Sequence, residues 1–147
     1  MSNEKKAILI VDDEDHIVDI LNDLVESIVD TIYTASNGME ALELVKKHND
    51  INVILSDITM PVMDGIELIK TVREIGVNTP FIFFTGYGSE EYMIDALKYG
   101  AFDFLSKPKL DNLVQVVKKA FKNNDEPTSD TDKDFISAYR EMVNKQK

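Results

Sequence analysis

"NVILSDITMPVMDG" (52–65) begins as an apolar run, meets a lone carboxylate at Asp57 and passes through Pro61 to Gly65. A run this short and this apolar reads as a strand covered on both faces, as strands in parallel sheets are. Such a strand needs helices above and below it, so the stretch predicts an α/β protein. The charge at its end has two readings. Asp closes many strands as a turn former or helix cap. Alternatively, a rigid element has carried Asp57 to a place where chemistry happens. The stretch alone leaves both open.

Two patterns alternate on either side of it. "AILIV" (7–11) and "FIFFT" (81–85) are apolar runs of the same kind as "NVILS" (52–56). "TIYTA" (31–35) and "FDFLS" (102–106) mix in polar residues, as edge strands do. Between them Ile17, Ile20, Leu21, Leu24, Val25 and Ile28 keep helical spacing over three turns. Ala41, Leu42 and Val45, then Ile66, Ile69 and Val72, keep it more briefly. Leu113, Val114, Val117, Ala120 and Phe121 mark a fifth helix. Ser89 stands as the N-cap of the fourth, with Gly76 and Gly100 just past the ends of the third and fourth. Five strands alternating with five helices imply parallel pairing through right-handed crossovers. With the second and fifth strands at the edges, the order is 2-1-3-4-5. The expected fold is a flavodoxin-like (βα)5 three-layer sandwich around a parallel five-stranded sheet, plus a short C-terminal helix.

The bulk numbers bound the function. The 147 residues suit one domain with a substantial core, and 44% hydrophobic with 29% charged content is ordinary for a soluble globular protein. No apolar run approaches the roughly 20 residues that span a bilayer, and the N-terminus lacks the apolar core of a signal peptide. The absence of cysteine excludes disulfides and thiolate metal sites and fits the cytoplasm. Sixteen basic against 27 acidic residues give a net charge of −11, so neither nucleic acid nor membrane is an expected partner.

Sheets of this order bind ligands outside the carboxyl ends of the strands, where the order reverses. Here that point lies between the first and third strands, which end in Asp12 and Asp13 and in Asp57. Three like charges repel at close range unless a hard divalent cation holds them, and Mg²⁺ accepts carboxylates with carbonyl and water ligands. Helix-start chemistry is the other reading of "DDED" (12–15), and it suits Asp15. The fourth strand ends in Thr85 before Gly86, and the fifth in Lys107 before Pro108. One hydroxyl, one ammonium and a metal around a crevice make a site for a phosphoryl group. There is no Gly-rich phosphate loop, so a nucleotide is not the expected ligand. With no Ser-His or Cys-His arrangement, a carboxylate is the candidate nucleophile.

Residues 7 to about 122 resemble a response-regulator receiver domain of two-component signalling, of the chemotaxis type. "ILIVDDE" (8–14), "ILSDITMPVMDGIEL" (54–68), "FFTGYG" (83–88) and "FLSKP" (104–108) carry the likeness. The resemblance implies that Asp57 takes a phosphoryl group from a histidine kinase or phosphotransfer protein and becomes an aspartyl phosphate. It implies that Asp13, Asp57 and the backbone carbonyl of Thr59 bind Mg²⁺, with Asp12 assisting through water. It implies that Thr85 and Lys107 contact the phosphoryl oxygens, that the Lys107–Pro108 bond is cis, and that Thr85 and Phe104 are the switch pair. Two positions depart from the commonest pattern. Phe104 stands where Tyr is frequent, and Tyr87 puts a large ring two residues after Thr85, near the path of a hydrolytic water.

The expected organisation is a receiver domain over 1–122, a polar linker over 123–134 and a short amphipathic helix over 135–147. The linker contains no apolar residue, whereas Phe135, Ile136, Tyr139, Met142 and Val143 form one stripe. No length remains for a DNA-binding or enzymatic output domain, so the expectation is a stand-alone switch rather than an enzyme, signalling to a protein target not named by the sequence. The fourth helix, fifth strand and fifth helix, carrying Tyr92, Met93, Tyr99 and Phe104, form the expected output surface. That face or the C-terminal helix is the expected dimer contact. His16 and His48 read as helix-surface residues, and Met39, Met60, Met63 and Met93 as packing. One rival is a metal-dependent phosphatase with an aspartyl nucleophile, a class that usually carries a second Asp where Thr59 stands. A phosphorylation-independent interaction module is the other.

Overall fold

The structure is a computed structural model that describes residues 5–85, 90–106 and 112–122, apart from the side chains of Thr85, Glu90 and Ser106. Its elements run β1 (Ala7–Val11), α1 (Asp15–Val25), β2 (Thr31–Ala35), α2 (Gly38–Lys47), β3 (Val53–Asp57), α3 (Gly65–Glu74), β4 (Phe81–Thr85), α4 (Glu90–Lys98), β5 (Asp103–Ser106) and α5 (Leu113–Lys122). All strand pairs are parallel, in the order β2-β1-β3-β4-β5. This is the expected flavodoxin-like arrangement.

Side chains alternate across a strand, so a strand apolar at every position feeds two cores at once. Leu9, Val11, Ile54, Phe81 and Phe83 point to one side, where α2, α3 and α4 cover them with Leu42, Val45, Leu68, Ile69, Val72 and Leu97. Ile8, Ile10, Leu55, Ile82 and Phe84 point to the other, under Leu21 and Val25 of α1 and Leu113, Val116 and Val117 of α5. β1 and β3 are buried along their whole length, whereas β2 is half-buried from Thr31 to Tyr33, exposed at Thr34 and buried only at Ala35. The central and edge strands are thus distributed as their sequences predict.

Several helical expectations need correction. α1 stops at Val25, so Ile28 lies beyond it, although Ile28 still packs against the second core. Ile20, included in the apolar stripe, is 45% exposed because Leu21 and Val25 take the inward face. Val116, outside the expected stripe, is buried in α5. Gly76 and Gly100 follow α3 and α4 with φ of 87° and 78°, as helix-ending glycines do. His48 caps α2 and stacks on Tyr33, ring centroids 4.4 Å apart, so it is more than a surface residue. His16 is exposed and pairs with Glu14 at 3.4 Å. Met60 is buried, and Met63 and Met93 pack against the first core, but Met39 is 43% exposed and contributes no core packing. No described helix is long and apolar enough to cross a membrane. Ser89, the linker over 123–134 and the helix over 135–147 lie outside the described residues.

Candidate functional site

Asp57 is the last residue of β3 and only 6% exposed. Its carboxylate Oδ1 accepts from the backbone N–H of Ile58 at 2.7 Å, which fixes the rotation of the group. The hydroxyl of the buried Ser56 donates to the Asp57 carbonyl at 2.8 Å. β1 reaches the same level: the Asp12 N–H donates to the Ala35 carbonyl at 3.1 Å, so the residue is held as an extension of the strand. Asp12 is 1% exposed and its Oδ1 accepts from the Glu14 N–H at 2.9 Å. Asp13 is exposed.

The structure brings these three acids together. One carboxylate oxygen from each of Asp12, Asp13 and Asp57 lies within 4.8 Å of the others. At that separation two like charges near a protein surface repel by on the order of 3–4 kcal/mol. Three hard oxygen donors at this spacing fit a divalent cation such as Mg²⁺, which would convert the repulsion into attraction. Thr59, expected to add its carbonyl, follows two residues after Asp57 and is exposed. Glu14 stands at the N-cap position of α1 without a side-chain cap bond, and Asp15 occupies the first turn, so Asp15 has the helix-start role expected of it.

The β3–α3 loop is drawn tightly over the end of β3. The Gly65 N–H donates to the Ile58 carbonyl at 2.7 Å, and a Cβ on Gly65 would stand 2.4 Å from the Asp57 carbonyl oxygen. Only glycine permits that approach. Asp64 then caps α3 by accepting from the Glu67 N–H at 2.8 Å. The sequence reading missed Ser56 and Gly65 as members of the site; a glycine directly after the capping Asp64 was the available signal.

On the other side of Asp57 the strand register pairs it with Phe84, so Thr85 stands one residue further along β4 and is itself paired with Ser106. Lys107 comes next in sequence, but Lys107, Pro108 and Tyr87 lie outside the described residues. Phe104 is 8% exposed, its ring 6.0 Å from that of Phe83. It therefore occupies the interior and is no part of a surface. Of the four residues expected to mark the output face, Tyr92 is exposed at 44%, while Met93 and Tyr99 are half-buried against the core.

The sequence model of the response regulator receiver domain matches residues 8–118. Regulatory protein AtoC of Escherichia coli is 42% identical over 115 residues, 77% of this chain and 24% of its own. Chemotaxis protein CheY of Bacillus subtilis is 35% identical over 76% of this chain and 94% of its own. The chain thus spans about a quarter of the first relative and nearly all of the second. Among solved structures, a response regulator receiver domain protein from Clostridium thermocellum superposes with a TM-score of 0.75 at 30% identity, over 81% of this chain and 96% of that one. With its sheet order, its acidic trio at the reversal of that order, and these likenesses, the chain belongs to the response regulator receiver domain family.

Proposed function

We propose that this protein is a Mg²⁺-dependent phosphoacceptor switch in which Asp57 takes a phosphoryl group from a phosphohistidine of a sensor kinase or phosphotransfer protein. The observation that carries this reading is the convergence of the Asp12, Asp13 and Asp57 carboxylates at the reversal of the sheet order. In the transfer an Asp57 oxygen attacks phosphorus, the N–P bond breaks, its electron pair leaves with the imidazole, and the ring takes a proton from water. Asp57 is suited to the task because the Ile58 amide holds its carboxylate in one orientation at the end of a rigid strand. Asp13 and Asp57, with the Thr59 carbonyl and with Asp12 assisting through water, would hold the metal, which when bound neutralises phosphoryl oxygens.

Thr85 and Lys107 would complete the contacts to the phosphoryl group, and Phe104 would report its arrival along β5. The receiver unit is proposed to extend over 1–122, followed by the linker and the short helix. Signalling would then proceed in the cytoplasm through protein contacts, by way of α4, β5 and α5, without enzymatic turnover of a separate substrate. The C-terminal helix or the α4–β5–α5 face would mediate any self-association.

The test is labelling with acetyl phosphate, a donor needing no protein contact. One phosphoryl group per chain should appear with Mg²⁺ and none in EDTA. Metal-independent labelling, or continuous turnover of a generic phosphate ester, would contradict the proposal.

A further inference from the structure

The last turns of α3 and α4, each carrying one cation, border a cavity of about 440 Å³ lined by Arg73, Asn78, Lys98, Tyr99 and Gly100. It lies at the amino end of the sheet, where Arg73 covers Phe81 at the start of β4, whereas Asp57 closes the carboxyl end of β3. None of the five lining residues is acidic, in a chain with 27 acidic residues against 16 basic. Cations at helix carboxyl ends are ordinary, since they meet the helix dipole there. That accounts for Arg73 and Lys98 but not for the acid-free cavity that they share.

The donors of Arg73 are unequally used. Its Nε–H goes to the Tyr99 carbonyl at 2.8 Å, and Nη1 donates to the carbonyls of Val77 and Thr79 at 3.0 and 2.9 Å. Nη2 reaches only the Gly100 carbonyl, at 3.5 Å, the outer limit of a hydrogen bond. A guanidinium has five N–H groups, so among the described residues Nη2 keeps one without an acceptor and one weakly engaged. Arg73 is half-buried, and no carboxylate of the described residues lies within ion-pair distance of it. Burial pushes its pKa down, as happens to a cation short of compensating negative charge. Lys98 holds only Asp95, at 3.6 Å on the exposed side of α4, a pair too weak to bar a competing anion. The exposed Asn78 makes no side-chain hydrogen bond within the described structure, which leaves two amide donors to offer.

We propose that this cavity is a second binding site, for a small molecule carrying a phosphate or carboxylate group whose oxygens are taken by Arg73 Nη2, the Lys98 ammonium and the Asn78 amide. The oxyanion supplies the negative charge that Arg73 lacks, and the guanidinium fork, already fixed by its carbonyl bonds, loses little freedom in receiving it. The Tyr99 ring, packed against the first core, gives the rest of such a molecule an apolar wall. The site needs no metal and lies at the other end of the sheet from Asp57, so it stands whether or not Asp57 is the phosphoacceptor.

The test titrates the whole wild-type chain in EDTA with inorganic phosphate and, separately, with succinate, against sodium chloride at matched ionic strength. Without metal the acids around Asp57 repel anions, which keeps that site out of the measurement. The amide resonances of Asn78, Tyr99 and Gly100 should shift saturably with at least one of the two anions and not with chloride. Lys98→Glu, a change on an exposed helix surface, should weaken that binding by about fivefold or more and move the melting temperature by no more than about 2 °C. Asn78→Asp puts a carboxylate into the cavity beside Arg73. It should abolish anion binding and raise the melting temperature of the anion-free chain by roughly 1–3 °C. Shifts with both anions no larger than those with chloride overturn the inference, as do shifts centred on Asp57. Binding left unchanged in Lys98→Glu or in Asn78→Asp overturns it equally.

Discussion

At the scale of single residues, Asp57 owes its placement to two features that do not belong to its own side chain. The Ile58 amide fixes its carboxylate, and Gly65 lets the following loop fold back against its carbonyl. Substituting Gly65 by Ala would force the loop off the strand end. The acids around Asp57 divide in role: Asp12 bonds the start of α1 through the Glu14 amide, whereas the structure gives the exposed Asp13 no such helix-start bond. Asp13→Asn should therefore relieve repulsion and raise metal-free stability by ~0.5–1 kcal/mol, after allowance for screening. Urea unfolding in EDTA checks this, and the gain should shrink or reverse in Mg²⁺. A marked loss in EDTA would mean that Asp13 has a structural partner. Asp12→Ala, by contrast, sets relieved repulsion against a lost helix-start bond and should leave stability nearly unchanged.

At the scale of elements, the ends of α3 and α4 are held by Arg73. Its guanidinium donates to the carbonyls of Tyr99 (2.8 Å), Val77 (3.0 Å) and Thr79 (2.9 Å), and reaches Gly100 at 3.5 Å. It also lies 5.4 Å above the centre of the Phe81 ring. One side chain thus joins the last turn of α3, the lead into β4 and the carboxyl end of α4, where cations are favoured. Arg73→Ala should destabilise by about 1–3 kcal/mol, since several part-buried carbonyls lose their donor together. Chemical denaturation measures it, and a loss well under 1 kcal/mol would show that water replaces the guanidinium freely. Nothing in the sequence around Arg73 reveals this role, because its partners are backbone carbonyls brought close by the fold. The strands were legible for the opposite reason. Val53, Ile54 and Leu55 are apolar at consecutive positions, which with the short length of the run suits a strand buried on both faces. Helix ends were less legible: Ile28 keeps the apolar spacing of α1 yet packs from beyond its end.

At the scale of the whole molecule, sheet order converts residues far apart in sequence into one site. Asp12, Asp13 and Asp57 meet because β1 and β3 are neighbours and the chain leaves them on opposite sides of the sheet's reversal. That much follows from three apolar runs and the acids that end two of them. The backbone strain at Val62, where φ is 70°, does not, since "PVMDG" (61–65) reads as an ordinary turn until that angle is known. Met39 and Ile20 were misread for a related reason: spacing marks a helix face but does not tell which apolar residues at its margin the core has room to cover. The account's central claim is that one carboxylate, Asp57, receives the phosphoryl group. Intact-mass measurement after incubation with Mg²⁺ and acetyl phosphate tests it most directly, comparing the wild type with Asp57→Asn, which keeps the shape of the side chain but cannot form an acyl phosphate. The wild type should gain one phosphoryl group and the variant none; equal gain by both would contradict the account.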